Sequence, residues 1–153
     1  MKKLIVGLAV LAYVLVPQAL QAQDGDESAP ETVVVAMATM KVPLGEDRGK
    51  FMQFVEQYVA PQSRNDPNLL AYHVLAHYYG SNSSEVVIVS VYENLAAIEE
   101  PCGDPCSEWW EANAPSEGEE GYDEFVDLQD TYFKYFAKHS DEIYMSRTDL
   151  SKM

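Results

Sequence analysis

Among the residues able to do chemistry, His73 and His77 stand four apart in an apolar and aromatic run, 69–79, that suits a β-strand. Strand side chains alternate, so both imidazoles share a face with Ala71, Leu75 and Tyr79, while Leu70, Tyr72, Val74, Ala76 and Tyr78 take the other. The second set has the aliphatic and aromatic character of a helix-covered surface, which leaves the histidine face open. An imidazole in an apolar cavity can shuttle a proton, so His73 and His77 are candidate catalytic groups. His77 also lies nearer the strand end, where cavities open. The competing use is a surface or interface histidine satisfied by backbone or water. Four residues of strand span about 13 Å, too far for both rings to hold one metal ion. No carboxylate set completes such a site, so no metal is expected. His139 falls in the last turn of a predicted helix, where a cation opposes the helix dipole.

Cys102 and Cys106 enclose Gly103-Asp104-Pro105. In an oxidising compartment a disulfide is the default, stabilising by roughly 2 kcal/mol on loop-entropy grounds. A redox-active pair needs a depressed thiol pKa, and Glu99, Glu100, Asp104, Glu108 and Glu111 oppose thiolate formation there. The spacing also differs from the C-x-x-C redox motif and the C-x-x-C-H haem motif. Trp109-Trp110, just beyond, either close over a cavity or pack this segment onto the sheet. Asn82-Ser83-Ser84 fits the N-glycosylation pattern, which has meaning only in a eukaryotic secretory pathway. There is no nucleophile elbow, phosphate-cradling glycine loop or dinucleotide fingerprint. No cofactor is expected.

The elements that position these groups follow from periodicity. Residues 33–42 read as a buried strand stopped by Pro43 and Gly45. Phe51, Phe54, Val55, Tyr58 and Val59 recur at helical spacing until Pro61 and the polar stretch 62–68 end the helix. The run 69–79, a Gly80-Ser81-Asn82-Ser83-Ser84 turn and the run 86–92 form a hairpin. Asn94 caps a short helix holding Leu95 to Ile98, and residues 101–121 read as an irregular insertion. Tyr122, Phe125, Val126, Gln129, Tyr132, Phe133 and Phe136 mark a second long helix packed on the sheet, and residues 143–146 a last strand. The order β, α, β, β, α, β is the ferredoxin-like arrangement, an α+β antiparallel sheet with both helices on one face. The open face then needs a cover, and a second copy of the chain supplies one.

At the N-terminus, Met1-Lys2-Lys3, an apolar run from Leu4 to Val16 and the small residue Ala22 describe a secretory signal peptide, residues 1–22. The apolar run is shorter than the ~20 residues that span a bilayer. An exported, periplasmic or secreted protein follows, without membrane insertion after cleavage. Residues 23–31 read as a disordered acidic linker, and 32–150 as a single domain with its insertion at 101–121. Formal charge is −15 for 153 residues, and loss of Lys2 and Lys3 with the signal makes it −17. Such a surface repels phosphate backbones and anionic lipids, so nucleic acid and membrane partners are not expected.

The series Phe51-Met52-Gln53-Phe54-Val55, Ala60-Pro61, residues 69–77, residues 85–94 and Ala96-Ala97-Ile98 resembles the dimeric α+β barrel superfamily. That superfamily includes antibiotic-biosynthesis-type monooxygenases and stress-responsive barrel domains. The resemblance covers roughly residues 32–100, with a weaker echo at 136–145. It implies a homodimer formed through the open sheet faces, with a small-molecule ligand between or beside the sheets. The signal peptide, the insertion and the cysteine pair depart from the simple members. Met37 and Thr39 of the first strand, Leu75 of the second, and Ser90 and Tyr92 of the third are expected to line the ligand cavity. The leading expectation is binding of a small apolar or aromatic molecule. The alternatives are a cofactor-independent monooxygenase or isomerase with His77 as acid or base, and a non-catalytic interaction module.

Overall fold

In a computed structural model that describes residues 32–77 and 80–147, four strands form one antiparallel sheet. They are β1 (Thr32–Lys41), β2 (Leu69–Ala76), β3 (Glu85–Tyr92) and β4 (Ser140–Arg147), in spatial order β2-β3-β1-β4. Helices cross between β1 and β2 and between β3 and β4, so the chain has the ferredoxin-like α+β topology. The predicted signal peptide, the linker, Tyr78, Tyr79 and residues 148–153 lie outside the described residues.

Register decides what each face carries. Val34, Ala36, Ala38 and Met40 of β1 stand beside Tyr92, Ser90, Ile88 and Val86 of β3, and these face the helices. Met40 and Val86 are fully buried there beneath Phe51, Phe54 and Val55. On β2 the helix side takes Tyr72 and Val74, as the alternation predicts. The opposite face is open and carries Val35, Met37 and Thr39, Val87, Val89 and Val91, and Ala71, His73 and Leu75.

The first helical path differs from expectation at Pro61. Helix α1 (Glu46–Phe54) runs into a π-helical turn, Val55–Val59, and continues as α2 (Ala60–Ser63). Proline cannot donate to the carbonyl four residues back and its ring crowds that position. The wide turn relieves both, with the Ala60 N–H donating to Val55 O, five residues back. The helix passes Pro61 instead of ending there, with Tyr58 in the aromatic core and Val59 over the sheet.

The insertion is also more ordered than its composition suggests. After the short α3 (Leu95–Glu99), capped by Asn94 Oδ1 accepting from Ala97 N at 3.1 Å, comes α4 (Asp104–Asn113). Pro105 stands in its first turn, where no donor is lost, and Gly103 precedes it at φ 69°. Cys102 and Cys106 are disulfide-bonded across that start, with Cα atoms 5.8 Å apart. Trp110 then packs against Phe54, Tyr58 and Phe125, the packing use of the tryptophan pair. Helix α5 (Tyr122–Phe136) closes the layer, with Phe125, Leu128 and Tyr132 buried.

Two polar devices fix the helices. Asp47 Oδ2 on α1 accepts from Lys134 Nζ at 2.7 Å and Tyr135 Oη at 2.6 Å on α5. Those bonds hold its carboxyl below the usual carboxylate range, so the clamp is complete above that range and lost as pH falls through the lowered value. The second device is Arg48, whose guanidinium donates to Val42 O at 3.1 Å, Ser83 O at 3.1 Å and Glu85 O at 3.3 Å. It ties the end of β1 to the β2–β3 hairpin. Arg48→Met leaves three carbonyls without that donor and is expected to cost roughly 1–3 kcal/mol in urea unfolding.

Candidate functional site

Ala36 and Ser90, both small, are direct neighbours across the two central strands, and Tyr72 extends the same row on β2. Above them pass the π turn and α5, whose aromatic side chains are too long to settle onto so shallow a floor. The result is a cavity of about 270 Å³ between sheet and helices. Ala36, Ala38, Ile88 and Ser90 form its floor, Tyr72 and Tyr92 one wall, and Val59, Tyr132 and Phe136 the roof. Asp141 stands at the rim, its Oδ2 3.0 Å from His139 Nε2. The His139 ring stacks on Phe136 at 4.3 Å, and its Nδ1 is hydrogen-bonded to Phe136 O.

Besides the Ser90 hydroxyl in the floor and the Asp141 carboxylate at the rim, the polar groups of this cavity are phenols. Burial pushes the Tyr72 hydroxyl up to about 12 and also raises those of Tyr92 and Tyr132. All three therefore stay neutral donors across the ordinary pH range. Tyr72 Oη is buried and makes no hydrogen bond. The Ser63 hydroxyl is close enough to temper the Tyr72 shift, but it donates to Val59 O at 2.8 Å and does not bond to Tyr72. A buried hydroxyl left unpaired costs roughly 1–3 kcal/mol, so a bound acceptor would be well rewarded.

The residues expected to share one lining are divided by the sheet. Met37, Thr39 and Leu75 lie on the open face, as parity predicts, and Met37 also borders the helix-side cavity. Ser90 and Tyr92 lie on the opposite face, in the helix-side cavity, because Ser90 pairs with Ala36 and Tyr92 with Val34. That corrects the expected common wall. His73 stays on the open face of the edge strand β2, opposite Val89. His77 follows the end of β2, its N–H donating to Glu85 O at 3.2 Å. A Cβ on Gly80, φ +126°, would stand 2.9 Å from His77 Nε2, so the ring lies against the hairpin turn. Neither histidine lines the helix-side cavity. Sequence reasoning missed Ala36, Tyr72, Tyr132 and Phe136 as lining groups. The available signal was a tyrosine on the helix-covered parity of β2 beneath an aromatic helix stripe.

No family model matches the chain, and no curated protein matches it. Solved structures of similar architecture include a monooxygenase from the gene ActVA-Orf6 of Streptomyces coelicolor, in complex with nanaomycin D. It is 20% identical, with 78% of this chain and 92% of that one covered at a TM-score of 0.47. A dimeric ferredoxin-like protein from an uncultured marine organism is 11% identical, with 81% and 93% covered at 0.47. A conserved protein from Methanosarcina mazei is 12% identical, with 77% and 94% covered at 0.44. The ferredoxin-like assignment stands on the strand order itself.

Proposed function

We propose that the protein is an exported, dimeric binding protein for a small, largely aromatic or apolar molecule, held in the helix-side cavity. The observation that carries this reading is the unpartnered Tyr72 hydroxyl lining a largely apolar, tyrosine-walled cavity that has Ser90 in its floor and Asp141 at its rim. A volume of about 270 Å³ is just below the ~300–1,000 Å³ of sites for drug-sized ligands, so the occupant is a compact molecule. Its complement to Tyr72 is a hydrogen-bond acceptor such as a carbonyl on an aromatic body. The open face supports the dimer: Val35, Met37, Val87, Val89, Val91 and Leu75 form a contiguous apolar surface. Polar groups rim it, His73 on one side and Glu142, which accepts from the Tyr144 hydroxyl, on the other. The enzymatic alternative with His77 as acid or base gains nothing from the geometry, since that ring packs at the hairpin.

Acetophenone, an aromatic ring bearing one carbonyl, is a suitable probe in calorimetric titration, with toluene as the partner lacking an acceptor. Tyr72→Phe is expected to weaken acetophenone binding roughly tenfold and leave toluene unchanged, the loss of about one hydrogen bond. The same change should raise the stability of the empty protein by ~1 kcal/mol, because the orphan hydroxyl is gone. Equal affinity of both proteins for acetophenone would remove Tyr72 from the site.

A further inference from the structure

The chain holds 25 acidic against 10 basic residues, so cations are scarce. Lys2, Lys3 and Lys152 fall outside the described residues, which leaves seven of the ten. Three of those seven, Lys41, Lys134 and Lys138, line one cavity of about 490 Å³, where β1 ends and α5 turns into β4. Its other lining residues, Thr39, Tyr135 and Ser140, each carry a hydroxyl, and no carboxylate lines it among the described residues. Thr39 and Ser140 are direct partners across β1 and β4, so their hydroxyls are set side by side by the sheet. This cavity shares no lining residue with the tyrosine-walled one.

With carboxylates in such excess, an exposed lysine ordinarily finds one. Lys50 pairs with Glu46 at 2.8 Å and Asp127 at 3.0 Å, and Lys134 with Asp47 at 2.7 Å. Lys41 and Lys138 have no carboxylate partner among the described residues; Lys41 stands opposite Glu85 in the strand register without pairing to it. Compensation of the helix dipole accounts for cations near the end of α5, Lys134 and Lys138. It does not account for Lys41, which comes from the sheet, or for the ring of hydroxyls.

We infer that this cavity binds a small organic anion through its terminal oxyanion group. The Lys41 and Lys138 ammonium groups hold the charge, and the Thr39 and Ser140 hydroxyls donate to the remaining oxygens. Lys134, kept in place by Asp47, and Tyr135 form the wall on the helix side. Ammonium heads recognise phosphate and carboxylate as compact point charges, without the geometric demand of an arginine fork. The volume leaves room for an organic body beyond the charged end.

The test is an amide-shift NMR titration of the protein with phenyl phosphate and, separately, benzoate at low ionic strength. Saturable shifts are expected at Thr39, Lys41, Lys138 and Ser140, with Ala36 and Ser90 unmoved. Lys41→Gln and Lys138→Gln, both at exposed positions, are each expected to weaken binding roughly tenfold. Arg64→Gln, an exposed cation outside the cavity, should change it less than about twofold. Tighter binding of phenyl phosphate marks a phosphomonoester site, and tighter binding of benzoate a carboxylate site. Absence of saturable shifts with either probe overturns the inference. So does an equal loss in Arg64→Gln, the mark of diffuse charge attraction, or a response centred on Ala36 and Ser90.

Discussion

Phe54→Ala is expected to lower the unfolding free energy by roughly 3–5 kcal/mol, a large share of the 5–15 kcal/mol typical of a domain. Phe54 is 1% exposed, and its ring centroid lies 5.1 Å from Tyr132, 5.2 Å from Tyr58, 6.0 Å from Phe125 and 6.3 Å from Trp110. It therefore joins four segments: its own helix, the π turn, the insertion and α5. Truncation leaves a cavity that none of these rigid rings can fill by a rotamer change. Because Trp110 anchors α4, the insertion should loosen with the core. Guanidinium unfolding followed by far-UV dichroism measures the first effect, and tryptophan fluorescence the second. A loss under 1 kcal/mol would mean that the aromatic cluster is not the centre of the core.

Val89→Glu is expected to turn a dimer into a monomer in sedimentation velocity. Val89 sits mid-row on the open face, with Met37 on one side and His73 on the other. A second sheet laid on that face would bury one carboxylate from each copy in a mainly apolar row of valines, Met37 and Leu75. Penalties of about 2 kcal/mol per copy suffice to weaken association about a thousandfold. Since Val89 points away from the helices, the protomer's own fold should survive, and the helical dichroism should be unchanged. An unaltered dimer would place the interface elsewhere, on the β4 edge for instance, where Ile143 and Met145 are 56% and 67% exposed.

The parts of this architecture legible in the sequence are those with a clean period. The stripe from Phe51 to Val59 and the stripe from Tyr122 to Phe136 each announce one buried face, and the alternation of 69–76 places Tyr72 and Val74 under the helices. The third strand reads differently. Val86 to Tyr92 is apolar on both parities, so composition alone favours neither face, and the polar tips of Ser90 and Tyr92 suggest the wrong one. Only the register with β1 settles it, and register across non-consecutive strands is not written locally. The cavity is hidden for the same reason. It arises because Ala36 meets Ser90, residues 54 apart in the chain, beneath aromatic rings from a third segment.

Proline and glycine misled where tertiary contacts overruled local preference. Pro61 normally stops a helix, yet one π turn carries the chain past it because Phe54, Tyr58 and Val59 are all held by the core. Pro105 and Gly103 give the insertion a loop-like composition, but both occupy the start of α4, where they are well tolerated. The cysteine pair was the more legible signal there, because a short spacing constrains the possible pairing far more than composition constrains conformation.

The most direct test of the binding reading is native mass spectrometry of the protein purified gently from its own host, beside an Ala36→Leu variant that fills the cavity floor. The account predicts two chains, each beginning at Gln23, plus a small molecule that the variant does not retain. A monomer, or a dimer whose mass is that of two bare polypeptides, would contradict it.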